Sequence, residues 1–452
     1  MPRQLFVLVS TGQGVANLPP VIECAKKEDE VVWIESDEAR RYGWTLGPKR
    51  VLEQHGLVTR TTLQVMSLNN PAQIVEVCRR EVDRVRDQGV SVVLVCNGGN
   101  KFSPIGVLRA WEPCRPSILY GDDKPAVLWS FPNGIGGDPV VTPYQNKNCL
   151  DLQQILTASG YMIHNPFSAM KLWPATTQLA GGPYGEDPQE TAKLHASHHA
   201  WNAAQPNQDG TVPFKQLGSL LGTDRLDKWC RSLRPLADTG DLQNLSVLES
   251  VYYSTARLLR DAREKNSRQG LQAPSQSIGP AFETAVQRRV RQWADLRLRP
   301  YLTSIWANVK VATSTKPEVL AAEMDVVLVL RNGILFHVEC KTSLGSDGLK
   351  DLDARLLNLQ RAGSRLAQMV VCLPLYTQFQ CTDWFVELHQ LRKRIENAQV
   401  RFVPFTLPNQ PTHYSVKEDD GSTTPHQCLS FEDSLDKLLQ DYEYKPQAAR
   451  RS

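Results

Sequence analysis

Three short apolar runs, Gln4-Leu-Phe-Val-Leu-Val9, Val31-Val-Trp-Ile34 and Val90-Ser-Val-Val-Leu-Val95, mark the amino-terminal part of the chain, with helical spacing between them. Runs of this length alternating with helical stretches predict a parallel sheet covered by helices. The helix before the third run carries its own punctuation. Asn70 caps it, Pro71 takes the first helical position, Ile74, Cys78, Val82 and Val85 form its buried stripe, and Gly89 stands past its end. Gln64-Val-Met-Ser-Leu68 is a weaker strand signal. A second helix is predicted from Gly279-Pro280-Ala281-Phe282-Glu283, with Phe282, Val286, Val290, Trp293 and Leu296 at helical spacing.

The sharpest pattern lies further on, at Asp325-Val-Val-Leu-Val-Leu-Arg-Asn-Gly-Ile-Leu-Phe-His-Val-Glu339-Cys340-Lys341. Read as a hairpin with the three-residue loop Arg331-Asn332-Gly333 and Gly333 in the left-handed region, it sets Leu330 opposite Ile334 and Asp325 opposite Glu339. Val326/Val338, Leu328/Phe336 and Leu330/Ile334 then share one apolar face. Asp325/Glu339 and Val327/His337 share the other, with Lys341 beyond them. A two-residue Asn-Gly loop would pair Val326 with Glu339 and mix polar with apolar positions on the core face.

Like charges directly opposite on a strand pair destabilise it, so this register predicts a divalent cation between Asp325 and Glu339. Carboxylate oxygens suit Mg²⁺ or Mn²⁺, and Lys341 is placed to stabilise charge developing on a phosphate. That is phosphodiester hydrolysis. Asp325, thirteen residues, then Glu339-Cys340-Lys341 resembles the PD-(D/E)xK nuclease signature, with Met324 where the signature has proline. The resemblance implies catalytic roles for Asp325, Glu339 and Lys341, a further acid from the preceding helix, for which Glu283 is placed, and metal ligation by Asp325, Glu339 and the backbone carbonyl of Cys340.

Two loops follow amino-terminal strands at their carboxyl ends, where open α/β sheets bind ligands. One is Ser10-Thr11-Gly12-Gln13-Gly14, leading to a helix near Asn17. The other is Asn97-Gly98-Gly99-Asn100-Lys101, whose glycines let backbone N–H groups approach a phosphate beside the Lys101 charge. Neither spacing matches a dinucleotide fingerprint or a P-loop. Together with the nuclease hairpin they resemble the CARF domain, the sensor of cyclic oligoadenylates in type III CRISPR systems, whose usual Thr-Gly-Gly-Thr-Lys is here Asn-Gly-Gly-Asn-Lys. The resemblance implies a cyclic oligoadenylate activator, cyclic tetra-adenylate foremost, bound by Ser10, Thr11, Gln13, Asn17, Asn97, Gly98, Gly99, Asn100 and Lys101. A ring of two-fold symmetry matches an isologous homodimer.

Composition narrows the class. The chain has 452 residues, 41% of them hydrophobic, enough for two or three domains. No apolar run suggests a membrane span, and Met1-Pro-Arg-Gln leads into a strand rather than a signal peptide. The ten cysteines are scattered without a C-x-x-C pair, as in a reduced cytoplasmic protein. Net charge is only +3, yet Ala256 to Arg299 holds ten Lys/Arg against four Asp/Glu, and the arginines there, Arg288, Arg289, Arg291, Arg297 and Arg299 among them, read as phosphate contacts beside the metal site. His195, His198 and His199 face one side of a predicted helix, but no cysteine or acid stands at ligand spacing, so they read as a solvated or packing face.

The expected architecture is α/β: a Rossmann-like CARF sensor domain (1–165), a helical connector (166–275), a PD-(D/E)xK restriction-endonuclease-like α/β domain (276–415) and a carboxy-terminal tail (416–452) with an unstructured end from Tyr444. The expected activity is metal-dependent endonucleolytic cleavage of DNA, by nicking or on single strands, with single-stranded RNA as a further substrate class, switched on by the ring in antiviral defence. A non-catalytic CARF regulator binding DNA, and a repair or restriction nuclease with an ordinary nucleotide-binding domain, are the alternatives.

Overall fold

The computed structural model describes residues 3–100, 102–134, 136–145, 149–164, 166, 169–174, 275–297, 301–341, 348–363, 367–374, 400–405, 412–417 and 422–443. Lys101, the histidines 195, 198 and 199, nearly all of the 166–275 connector, Arg299 and the end from Tyr444 lie outside them.

The first sheet is built from β1 (Gln4–Val9), β2 (Glu30–Ser36), β3 (Val58–Val65), β4 (Ser91–Val95), β5 (Ser117–Asp122), β6 (Val127–Phe131) and β7 (Val140–Pro143), in the order β3-β2-β1-β4-β5-β6-β7. Strands β1 to β5 pair in parallel and β5 to β7 antiparallel. The helices between them are α1 (Leu18–Cys24), α2 (Asp37–Tyr42), α3 (Leu46–Gln54), α4 (Pro71–Gln88) and α5 (Ser103–Trp111). Helix α4 has the ends its sequence dictates: the Asn70 side chain accepts from Gln73 N, Gly89 closes it at φ +63°, and Ile74, Cys78, Val82 and Val85 are buried. Strand β3 starts earlier than its apolar signal, because pairing with β2 recruits the polar stretch from Val58 to Gln64.

The second sheet is β14-β13-β12-β11-β10-β8, from β8 (Tyr161–Ile163), β10 (Leu302–Thr313), β11 (Lys316–Leu330), β12 (Leu335–Cys340), β13 (Gln368–Pro374) and β14 (Arg401–Phe405), with β9 (Met170–Trp173) also on β10. Helices α6 (Leu152–Ala158), α7 (Ser275–Leu296), α8 (Gly348–Gly363) and α9 (Phe431–Leu439) accompany it, with a hairpin of β15 (Thr412–Lys417) and β16 (Thr423–Cys428). Strands β8 and β9 fall on either side of residue 165, yet both join this sheet. In the 416–452 segment Phe431, Leu435 and Leu439 are fully buried, so α9 is part of the core beside the second sheet.

Charge is used here for packing. Arg289, 2% exposed, pairs with Glu432 at 2.5 Å and stacks between Phe405 and Phe431, and Arg297 binds Asp433 and Asp436. Arg291 reaches Asp295. Arg289 and Arg297 therefore seat α9 on α7 and do not form an exposed phosphate-contacting stripe, since their partners lie over a hundred residues away and are invisible to local charge counting. On α7, Val286, Val290 and Trp293 are buried as spaced, but Leu296 is exposed where the helix runs out.

The two sheets share one core. A single apolar cluster runs from Phe6, Leu8 and Trp33 through Leu152 and Ile155 of α6 to Val327, Val329, Leu335 and Val371, with Leu352 and Leu359 of α8. The opposite face of the first sheet has its own cluster, Leu5, Val7 and Leu94 against α4 and α5, as strand alternation requires. Among the described residues no helix is long and apolar enough to cross a membrane.

Candidate active site

The hairpin of β11 and β12 adopts the register its turn dictates. Val326 lies opposite Val338, Val327 opposite His337 and Leu328 opposite Phe336; Gly333 N donates to Leu330 O, Leu330 N to Ile334 O, and Gly333 has φ +80°. Asp325 and Glu339 consequently meet at the open end of the hairpin. Asp325 Oδ2 accepts the backbone N–H of Cys340 at 2.7 Å, which fixes the carboxylate across the strand pair.

Glu339 is 0% exposed, and its two oxygens differ. Oε1 accepts from Lys341 Nζ and from Arg355 Nη1, each at 2.7 Å. Oε2 lies 3.2 Å from His337 Nε2 and has no hydrogen-bond partner among the described residues. Atoms of Asp325, His337 and Glu339 that could ligate a metal lie within 4.8 Å of one another. Burial and the charges of Glu339 and Glu283 push the Asp325 carboxyl up to about 8, and burial lowers His337 to about 4. Glu283, half-buried on α7, is raised by burial and by the Glu323 and Glu339 charges. The residues fit a divalent cation: repelling carboxylates, one oxygen orphaned in the interior, and no thiol among the ligand-forming groups. Arg355 was not foreseen. It comes from α8, whose sequence reads as an ordinary amphipathic helix, and only the fold brings it to Glu339.

The loops after β1 and β4 are a different kind of place. Ser10 Oγ lies 2.6 Å from Thr45 Oγ1, which donates to Glu35. Asn17 Nδ2 donates to Val9 O, and Asn97 pairs both ways with the backbone of Gly121, at 2.7 and 2.8 Å. Asn100 Oδ1 accepts from Phe102 N and Ser103 N at the start of α5, while its Nδ2 donates to Asn69. Gly98 is packed on Val9 O and Gly99 has φ +85°, so this turn needs both glycines for its backbone alone. Thr11 and Gln13 are half-exposed, and Thr11 Oγ1 takes the N–H of Gln13.

The two regions touch. A cavity of about 170 Å³ is walled by Gln13, Ala16, Asn97 and Tyr144 on the side of the first sheet and by Asn332 and Gly333 from the turn of the hairpin. Asn332 Nδ2 donates to Asp123 O, and a Cβ on Gly333 would stand 2.7 Å from Val15. Tyr442 adds a second bridge, its carbonyl accepting from Ala126 N while its ring meets Phe336 edge-on.

No protein-family model matches the chain, and no curated protein matches it. Solved structures do. Protein VC1899 from Vibrio cholerae is 17% identical with a TM-score of 0.54, over 89% of this chain and 94% of that one. Can2 from Sulfobacillus thermosulfidooxidans, in complex with cyclic tetra-adenylate, is 18% identical with a TM-score of 0.50, over 88% and 95%. A type III CRISPR defence DNA nuclease activated by cyclic oligoadenylate is 13% identical with a TM-score of 0.51; it matches 97% of this chain, which spans about half of that one (52%). The chain has the fold of these CARF–nuclease proteins.

Proposed function

From a chain with the CARF–nuclease fold, we propose a divalent-metal-dependent nuclease activated by a cyclic oligoadenylate, cyclic tetra-adenylate foremost, that cleaves DNA, by nicking or on single strands, and single-stranded RNA. The observation that carries the reading is the buried, unpartnered Oε2 of Glu339 beside Asp325 and His337. A divalent cation bound there supplies Lewis acidity at the scissile phosphate. Asp325, pinned by Cys340 N–H, and Glu339 hold it, with the Cys340 carbonyl and Glu283 as further oxygen donors. Lys341 is partly exposed and held on Glu339 Oε1, where its ammonium would stabilise the charge that builds on the phosphoryl oxygens and the leaving alkoxide as the P–O bond breaks. Arg355 gives the same oxygen a second cation, so Oε1 is held by two charged donors and Oε2 is left for the metal.

Activation has a physical carrier. Thr11, Gln13 and the backbone of Gly98 to Asn100 present the ring-facing groups, the sequence adds the Lys101 charge next to them, and Gln13 shares a cavity with the turn whose strands end at Asp325 and Glu339. Ring binding that moves this loop biases the hairpin, provided the ring's affinity differs between the two arrangements. A homodimer supplies the same loops twice to a two-fold ring. The test is a panel of supercoiled, linear and single-stranded DNA and single-stranded RNA with Mn²⁺ and each cyclic oligoadenylate. Cleavage dependent on one ring supports the reading, and ring binding without cleavage of any substrate identifies a regulator instead.

A further inference from the structure

We propose that His337 is the third protein ligand of this cation and that its imidazole sets the site for Mn²⁺ over Mg²⁺, an inference that rests on the nuclease reading above. The backbone N–H of Asp325 points at His337 Nε2 from 3.2 Å, so that nitrogen presents its lone pair there. Glu339 Oε2, 3.2 Å away, has no hydrogen-bond partner among the described residues. Two lone-pair atoms therefore face each other in side chains 1% and 0% exposed, where no bulk water screens them. The contact is not a hydrogen bond. A cation explains it, because ligands at adjacent corners of an octahedron with bonds of about 2.2 Å stand about 3 Å apart.

Strand alternation is why the three donors meet. His337 and Glu339, two residues apart on β12, project from one face, and Asp325 joins them from β11. Glu339 Oε1 is held by Lys341 and Arg355 and Asp325 Oδ2 by Cys340 N, which leaves Glu339 Oε2, the other Asp325 oxygen and His337 Nε2. At 3.2 Å the amide contact to Nε2 is at the long end of a hydrogen bond and yields to coordination. Mg²⁺ takes hard oxygens and keeps its waters, whereas an imidazole nitrogen favours Mn²⁺ and the later transition ions.

Pulsed EPR of the full-length wild-type protein with Mn²⁺ decides the matter, since a coordinated imidazole modulates the echo through its ¹⁴N nucleus. We expect that modulation in wild type and its loss in His337→Gln, which keeps an acceptor at similar reach and whose folding is checked by thermal melting. Calorimetry should show His337→Gln binding Mn²⁺ more than about tenfold more weakly with Mg²⁺ affinity little changed, since losing even an outer partner of a metal ligand costs that much. Mn²⁺ bound by wild type without ¹⁴N modulation, or bound equally well by His337→Gln, overturns the inference while leaving the carboxylate site standing. Failure of wild type to bind Mn²⁺ at all overturns the nuclease reading itself.

Discussion

The glycine turn after β4 and the hairpin of β11 and β12 both concentrate polar groups at the end of a sheet, and their polar atoms finish in opposite conditions. Asn97 and Asn100 give their amides to Gly121, Phe102, Ser103 and Asn69, so the turn is held by its own hydrogen bonds. Glu339 leaves one oxygen with no hydrogen-bond partner among the described residues, in a fully buried position. A closed network presents a rigid backbone surface on which a ligand rests; an open one stays incomplete until a ligand enters. The first suits a sensor that discriminates by shape, the second a centre that works only when loaded.

The largest effect separating the two regions should come from Asp325→Ala or Glu339→Ala. Each should lower cleavage by about a thousandfold or more, several kcal/mol of lost transition-state stabilisation, while ring binding by calorimetry is unchanged. Lys341→Ala should cost about a hundredfold in kcat with Mn²⁺ affinity retained, as for removal of one preorganised charge donor. On the sensor side, Lys101→Ala should weaken ring binding by more than about tenfold, the loss of a charge-assisted contact of about 1.5–3 kcal/mol, and raise the activator concentration needed without lowering cleavage at saturation. If that variant binds the ring as tightly as wild type, the loop assignment fails.

Gly333→Ala sharpens the comparison at the point where the regions meet. It places a side chain at φ +80° against Val15, so the turn must shift; ring binding should persist while ring-dependent stimulation of cleavage falls several-fold. Unchanged stimulation would remove the hairpin as the connecting element. The smallest effect is a pH effect. Asp325 is raised to about 8 in the folded chain, so the stability it contributes to the metal-free protein is full below the ordinary aspartate range and is lost as pH rises through about 8. Binding Mn²⁺ must displace that proton, so calorimetry in buffers of different ionisation heat should show about one proton released near pH 7 and almost none above pH 9. Equal release at both would mean that Asp325 is already ionised.

What the sequence makes legible follows from locality. A three-residue turn with glycine in the left-handed position has one register, so Asp325 opposite Glu339 could be read directly, as could α4 from its cap, proline and glycine. The partners of polar side chains could not. Arg289 finds Glu432 at a distance of 143 residues, Arg355 reaches Glu339 from another element, and Asn17 turns inward to Val9 O although its loop invites a ligand. The crossing of β8 and β9 into the second sheet is hidden for the same reason, since both are too short to carry an apolar signature.

The central claim is that the open end of this hairpin is a metal-dependent phosphodiesterase governed by the sensor. Nicking of supercoiled DNA by purified wild type and Asp325→Asn, each with Mn²⁺ or EDTA and with or without cyclic tetra-adenylate, tests it most directly. The account predicts cleavage in one condition alone, wild type with both Mn²⁺ and the ring. Cleavage in EDTA, or by Asp325→Asn at the wild-type rate, would contradict it.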